Sequence, residues 1–166
     1  MMRQLVPQEA CLNCLGCCRF LKPDSCWSPL LLEEEAQGLT QKRLLKENFR
    51  DNYKIPLVPV TTEKKNFLCL FFDPVSNKCR IYPFRPFECQ LYPFLINRKE
   101  KEIFLSVDLN CPFVKERYNA AEFKEYAGYL AELLGSPRYE ALLGNNPQIA
   151  QRYEGVLDLA LLKSAL

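Results

Sequence analysis

Apolar positions in the first two-thirds of the chain follow strand-like patterns. The run NFLCLFF at residues 66–72 is short, apolar and rich in aromatics, so it predicts a buried strand. The next residues, DPVSNK, predict a turn, and CRIY predicts the returning strand. KIPLVPV at residues 54–60 predicts extended chain, because each proline disfavours helical backbone in the residue before it. EIFLSVDL at residues 102–109 alternates apolar and polar positions and predicts a further strand.

Elsewhere the apolar positions recur at helical spacing. Residues 30–49 predict two short helices, interrupted at Gly38. A longer stripe from residue 114 to 134 predicts a helix that stops at Gly135. Ser136 and Pro137 then predict the start of a short helix ending at Gly144, since serine is a favoured N-cap and proline a favoured first residue. Asn146-Pro147 repeats that signal, and the helix it predicts would have this apolar stripe: Ile149, Tyr153, Val156, Leu157, Ala160 and Leu161.

These patterns predict one α+β domain over residues 1–166. Residues 11–112 would form a small cysteine-rich metal-binding part made of short strands and loops. Residues 113–166 would form two or three C-terminal helices that cover it, because apolar stripes at this spacing usually face a core.

Charge narrows the classes of partner. The chain has 22 Lys and Arg against 20 Asp and Glu, a net charge of +2, with the two signs interspersed. This balance favours neither nucleic acid nor an anionic membrane surface. The first residues, MMRQLVPQEA, lack the apolar stretch of a signal peptide, and no run reaches the roughly 18 apolar residues of a membrane span. We therefore expect a cytoplasmic protein with an unidentified protein partner, no nucleic acid and no membrane.

Cysteine and histidine usage points to metal chemistry. The chain has nine cysteines and no histidine. In a reducing compartment such a cluster more often binds metal than forms disulfides. The lack of histidine excludes a Cys-His catalytic dyad, mixed Cys/His zinc sites and a Rieske-type centre. A metal held mainly by nitrogen or sulfur side chains must therefore be bound by thiolates.

The strongest motif is CLNCLGCC, which places Cys11, Cys14, Cys17 and Cys18 within eight residues. Its first three thiols match the Cys-x2-Cys-x2-Cys run of bacterial ferredoxins, whose clusters also use a thiolate followed by proline. Cys111-Pro112 has that form. Buried thiols can instead act as small apolar side chains, but four in so short a stretch favour metal binding. A 4Fe-4S cluster is the favoured cofactor, and zinc is the alternative.

Three further cysteines, Cys69, Cys79 and Cys89, lie ten residues apart, and the last two each begin a Cys-x-x-Tyr-Pro-Phe repeat. Tyr-Pro predicts extended chain just past each thiol, and Phe84 and Phe94 are expected to bury the adjacent turn. Together with the CLNCLGCC thiols and Cys111, these cysteines could fill two sites, or one cluster with several thiols left over.

Two other residues have competing interpretations. Arg85 lies between the repeats and is a candidate cofactor-binding residue, since its guanidinium could donate to thiolate or sulfide; the alternative is a surface residue of a turn. Cys26, in the stretch PDSCWSP, could be an extra ligand or a reactive thiol. Packing against Trp27 is the interpretation we favour for it.

The motifs CLNCLGCC and CRIYPFRPFECQLYPF, followed by Cys-Pro, resemble the CxxCxxCC cysteine-cluster family. That family is described as zinc- or iron-chelating and as related to the cysteine-rich part of flagellin lysine N-methylases. The resemblance covers roughly residues 11–112 and leaves Cys26 outside. It implies eight metal ligands: Cys11, Cys14, Cys17, Cys18, Cys69, Cys79, Cys89 and Cys111. Flagellin methylases are much longer, and this chain has no glycine-rich loop for S-adenosylmethionine.

Three functions remain compatible with the sequence. The first is an iron-sulfur protein that transfers electrons or assists a redox or methyl-transfer reaction. The second is a structural zinc module that binds a protein partner. The third is an enzyme that uses a cluster directly, although the sequence singles out no acid-base residue for it.

Overall fold

A computed structural model describes residues 2–14, 16–45, 53–60 and 67–164. The chain divides into two compact units, one formed by Pro7–Gln90 and the other by Met1–Val6 with Leu91–Leu166. Each unit mixes helices with small antiparallel sheets, which confirms the predicted α+β class. The single-domain organisation remains a prediction.

The unit Pro7–Gln90 contains a three-stranded sheet and a hairpin. The sheet has the antiparallel order β1-β3-β2, and β4 pairs with β5. The elements follow one another along the chain as α1 (Gln8–Leu12), β1 (Arg19–Phe20), α2 (Glu33–Gln41), β2 (Leu57–Pro59), β3 (Phe67–Cys69), β4 (Phe72–Asp73), β5 (Lys78–Cys79), a 3₁₀ helix (Tyr82–Phe84) and α3 (Phe87–Leu91).

The predicted strands of this unit are found, with one difference. Extended chain at residues 54–60 is confirmed in β2, and CRIY begins as the return strand β5. Of the predicted apolar run, residue 66 lies outside the described residues, and the described part, residues 67–72, divides into β3 and β4, whose partners lie in different sheets. Its side chains are mostly buried, so the run supplies the core in both parts.

The predicted interruption at Gly38 is wrong, because α2 runs through this residue without a break. Glycine costs only about 1 kcal/mol relative to alanine in a helix. Burial of Ala36 and Leu39 on either side of Gly38 offsets that cost. The second predicted helix is absent from residues 42–45, which form a turn, and the rest of its range lies outside the described residues.

The other unit is built on a second antiparallel sheet of order β6-β7-β8. Its elements are β6 (Phe94–Lys99), β7 (Glu102–Val107), α4 (Pro112–Lys115), α5 (Ala121–Leu134), α6 (Pro137–Asn145), a 3₁₀ helix (Pro147–Ile149) and β8 (Leu157–Ser164). The strand prediction for residues 102–109 is confirmed by β7. The helix stop at Gly135 and the Ser136-Pro137 start are confirmed by the ends of α5 and α6.

The last predicted helix is wrong, because Asn146-Pro147 opens a single 3₁₀ turn and residues 157–164 form β8. The run LDLALL in β8 is almost continuously apolar, so its positions match a helical stripe and a strand alike. Pairing with β7 decides in favour of a strand, although the register between β7 and β8 shifts at two places. None of the helices among the described residues is long and apolar enough to cross a membrane.

Candidate metal centre

All nine cysteines lie in the described part of the chain, and none is joined in a disulfide. Cys69 and Cys111 are buried, Cys17 and Cys26 are exposed, and the other five are half-buried. Eight of the nine belong to the unit Pro7–Gln90, and Cys111 belongs to the other. The candidate site therefore belongs to the unit Pro7–Gln90.

Strand pairing places three thiols in one core. The Cys69 N–H donates to the Cys18 carbonyl (3.0 Å), where β3 runs beside β1. Cys79 lies opposite Phe72 in the β4-β5 hairpin. Cys69 belongs to the buried apolar cluster of this unit, and Cys18 and Cys79 pack against it together with Trp27. The strands therefore gather thiols from three separate segments of the sequence.

Asn77 ties the hairpin of Cys79 to the N-terminal motif. This residue has φ 55°, a left-handed conformation that asparagine adopts more readily than most residues. Its amide Nδ2 donates to the Leu12 carbonyl (2.9 Å), and its Oδ1 accepts from Arg19 (3.0 Å). The hairpin turn is thereby held against both ends of the CLNCLGCC segment.

Two carboxylates hold α3, which carries Cys89, against the chain around α2. Glu35 accepts the Phe87 N–H through Oε1 (2.7 Å) and the Leu32 N–H through Oε2 (2.9 Å). In the opposite direction, Glu88 Oε2 accepts the Leu30 N–H (2.6 Å). Each segment thus accepts backbone N–H groups of the other, and this reciprocal pair positions the helix that carries Cys89.

We expect Glu35→Gln to change how stability depends on pH. Burial raises the pKa of Glu35 from 4.5 to about 7, against the lowering effect of the Leu32 and Phe87 N–H groups. The folded state then holds the proton more tightly than the unfolded state. The protonated Glu35 carboxyl therefore stabilises the folded protein fully below pH 4.5, and this stabilisation is lost as the pH rises through about 7. Between about pH 4 and pH 8 the wild type should lose roughly 3 kcal/mol relative to the variant.

Urea unfolding of the metal-free, reduced protein at several pH values measures this difference. Glu33→Gln is the matched control, because Glu33 is an exposed carboxylate in the same helix turn. If the wild type and Glu35→Gln gave parallel curves of unfolding free energy against pH, the carboxylate of Glu35 would not hold its proton more tightly in the folded state.

The thiols of this core influence one another electrostatically. Burial raises the pKa of Cys69 to about 11, with Cys79 and Cys17 adding to the effect. The pKa of Cys18 is raised first by a hydrogen bond with the Cys17 thiol and then by burial. Burial likewise raises the pKa of Cys89 well above its ordinary value, and Cys69 and Cys17 raise it further. The four chain segments thus bring five thiols together: Cys17, Cys18, Cys69, Cys79 and Cys89.

Arginine side chains lie beside one of these five. Burial raises the pKa of Cys79, whereas the Ile81 N–H, Arg85 and Arg80 act in the opposite direction. The Arg85 guanidinium stacks over the Tyr82 ring at 4.4 Å from its centroid. Arg85 is therefore close enough to act on a thiol of the cluster, as its predicted role requires. Its use in binding a cofactor remains a prediction.

The remaining cysteines occupy three other places. Cys11 lies on α1 and Cys14 in the turn after it, where a Cβ on Gly16 would approach the Cys14 Sγ to 3.2 Å. The lack of a side chain at Gly16 therefore leaves room for the Cys14 thiol. Cys26 is exposed, whereas Trp27 packs against the core, so burial does not account for Cys26. Cys111 is the N-cap of α4, and Pro112 is the first residue of that helix.

The predicted extended chain after Cys79 and Cys89 is wrong. Tyr82–Phe84 forms a 3₁₀ helix with proline near its start, where a missing N–H costs nothing. Tyr92-Pro93 is a cis peptide bond in the turn before β6. Phe94 is buried against Phe123 (5.5 Å between ring centroids), but Phe84 is 63% exposed. One of the two repeats therefore supplies core packing, and the other supplies a surface turn.

The chemistry of the five clustered thiols fits a metal that prefers sulfur. They are partly desolvated, they disfavour one another's ionisation, and the sequence has no histidine to replace them. A cation would stabilise the thiolates that burial disfavours. Among the described residues, no three Cys, Asp or Glu side chains already surround one point as the ligands of a single ion would.

Comparison with known proteins agrees with this chemistry. Residues 10–112, more than half of the chain, match the CxxCxxCC family, which is described as a "putative zinc- or iron-chelating domain". The matched range contains all nine cysteines and both compact units contribute to it. No solved structure matches the chain.

Proposed function

The chain belongs to the CxxCxxCC family, whose members are described as zinc- or iron-chelating, and from this premise we propose that its thiols bind a 4Fe-4S cluster. The pattern of thiols supports the choice of cluster. The first three thiols of CLNCLGCC have the Cys-x2-Cys-x2-Cys spacing of bacterial ferredoxins, and the clustered thiols Cys17, Cys18, Cys69, Cys79 and Cys89 outnumber the four that one zinc ion needs. The proposal places the protein in the cytoplasm, in electron transfer or as an accessory to a redox or methyl-transfer reaction.

A cluster and a single ion require different distances between their sulfur ligands. Tetrahedral zinc with Zn–S bonds of about 2.3 Å requires its four sulfurs to lie roughly 4 Å from one another. In a 4Fe-4S cluster each thiolate binds its own iron, so the sulfurs stand further apart around a larger inorganic core.

The proposed ligands come from all the predicted positions. The five clustered thiols are the first candidates, with Cys11 and Cys14 of the same motif as further ligands. Cys111 keeps its predicted role as the remote thiolate followed by proline. When bound, a cluster supplies reversible one-electron transfer. The chain's own contribution is the apolar wall around Cys18, Cys69 and Cys79, which keeps water from the sulfurs.

A structural zinc module is the second candidate. The observation in its favour is that Cys69 is a core residue and Cys18 and Cys79 pack against the same core. Metal bound there would hold β1, β3 and the β4-β5 hairpin together and so stabilise the fold directly. In that case the protein would act by binding a protein partner, and its metal would have no redox role.

Purification under anaerobic conditions tests the proposal. We expect a brown protein that contains iron and acid-labile sulfide in equal amounts and is bleached reversibly by a one-electron reductant. A colourless protein with stoichiometric zinc would support the structural module instead. A protein that gains neither metal, in cells or by anaerobic reconstitution, would overturn both candidates.

Arg85→Gln should lower the reduction potential of the cluster. Arg85 acts on Cys79, and removing its charge makes each added electron less favourable. We expect a shift of tens of millivolts toward negative values, on the order of the interaction between charges in a partly screened site. Protein-film voltammetry measures it. Lys22→Gln removes an exposed positive charge in the same unit and is the control. Equal potentials in wild type and Arg85→Gln would rule out a role for this guanidinium.

A further inference from the structure

Exposure differs sharply among the five clustered thiols. Cys69 is buried, and Cys18, Cys79 and Cys89 are half-buried. Cys17 is the only one of the five that is exposed. It follows Gly16 in the turn between α1 and β1, so it lies at the boundary between this core and solvent.

Cys17 is also the common neighbour of the other four. Its thiol forms a hydrogen bond with Cys18, the next residue in the chain. It also acts electrostatically on Cys69, Cys79 and Cys89. The exposed thiol therefore influences all four of the others, three of which come from other segments of the chain. No other member of the five combines solvent exposure with proximity to the rest.

This position matters for how metal reaches and leaves a thiolate site. Exchange of thiolate ligands requires the incoming sulfur to reach the site, so access limits the rate. Cys69 is enclosed by the apolar cluster, and Cys18 and Cys79 pack against it. Cys17 can be displaced without opening that core.

We propose that Cys17 is the exchangeable ligand of the centre, the thiolate that a thiol-bearing metal donor or acceptor replaces during loading and transfer. This rests on the proposed function, since it requires that the five thiols bind metal. The partner is defined by its chemistry: a small thiol or an exposed cysteine of another protein.

The exchange conserves atoms and electrons. An incoming thiol gives up its proton and forms a sulfur–metal bond, while Cys17 loses its sulfur–metal bond and takes up that proton. No sulfur is oxidised, so no oxidant is needed. The remaining ligands keep their bonds throughout.

Alkylation of the protein purified anaerobically with its metal tests this assignment. Iodoacetamide is added with and without glutathione, and the labelled cysteines are identified by peptide mass spectrometry. With metal alone Cys17 should be protected. With glutathione its labelling should accelerate by at least about 10-fold, while Cys18, Cys69, Cys79 and Cys89 stay protected. Exposed Cys26, outside the proposed ligands, is the internal control and should be labelled equally in both conditions.

The outcomes separate the inference from the proposed function. If metal protects none of the five thiols, the metal centre itself is wrong. If metal protects the other four but not Cys17, or if glutathione exposes a different thiol, only the role of Cys17 is overturned.

A variant provides an independent measurement. In Cys17→Ser, metal release to a chelator should no longer accelerate with glutathione, whereas wild type and Cys26→Ser should keep that dependence. Circular dichroism shows whether each variant is folded. Thiol-dependent release that persists in Cys17→Ser would contradict the proposal.

Discussion

Replacing Cys69 should remove most of the bound metal. We expect Cys69→Ser to weaken metal binding by at least about 100-fold, because a hydroxyl is a poor substitute for a thiolate on zinc or iron. This loss exceeds the effect of removing a residue that only hydrogen-bonds to a metal ligand. Cys69 is the buried member of the clustered thiols, and its N–H is bonded to the Cys18 carbonyl. Metal content per chain after anaerobic purification measures the effect.

Two controls separate ligation from folding. Serine in this core could itself cost roughly 1–3 kcal/mol through a buried hydroxyl, so Cys69→Ala is made in parallel. Cys26→Ser removes an exposed thiol outside the proposed ligands and should retain full metal content. If Cys69→Ser and Cys69→Ala fold and carry as much metal as the wild type, Cys69 is not a ligand.

The grouping of the thiols was only partly predictable. The CLNCLGCC motif is local, so spacing alone indicated its chemistry. The ten-residue stride of Cys69, Cys79 and Cys89 has no such local meaning, because these residues lie on β3, β5 and α3. Their approach depends on strand pairing and on turns, which connect residues distant in sequence.

The contacts that position the site left little signal in the sequence. Nothing in the sequence marks Glu35 or Glu88 for a structural role, yet each accepts a backbone N–H from the opposite segment. Asn77 was predicted only as part of a turn, but it also bonds Leu12 and Arg19. A single sequence does not say which polar residues of a turn find distant partners.

Two helix predictions were wrong. One fell on a continuous apolar run, and the other on a single glycine within a helix. β8 has a sequence that suits either element, and pairing with β7 decides its conformation. At Gly38 the local cost of glycine was taken as a break, but burial of the neighbouring residues outweighs it. Caps gave firmer predictions, since Gly135 and Ser136-Pro137 act through nearby backbone alone.

Metal affinity should rise steeply with pH. Burial and neighbouring thiols raise the pKa of Cys69 to about 11 and also raise those of Cys18, Cys79 and Cys89. The metal-free site is then protonated at neutral pH, and each thiol that becomes a ligand releases one proton. The association constant should increase up to about 10-fold per pH unit for every proton released. Release of four protons would therefore raise it up to about 10⁴-fold per pH unit.

The raised pKa values also fix where this dependence ends. With thiols of ordinary pKa, the rise of the association constant with pH would level off near about pH 8.5. The clustered thiols have raised pKa values, so the rise should continue beyond that pH. Anaerobic titration with Zn²⁺ against a competing chelator between about pH 6.5 and pH 9 gives the slope, and calorimetry in buffers of different ionisation enthalpy counts the protons. Cys69→Ala should release one proton fewer, and Cys26→Ser the same number as wild type. A flat profile would mean that carboxylates, already ionised in this range, hold the metal in place of the buried thiols.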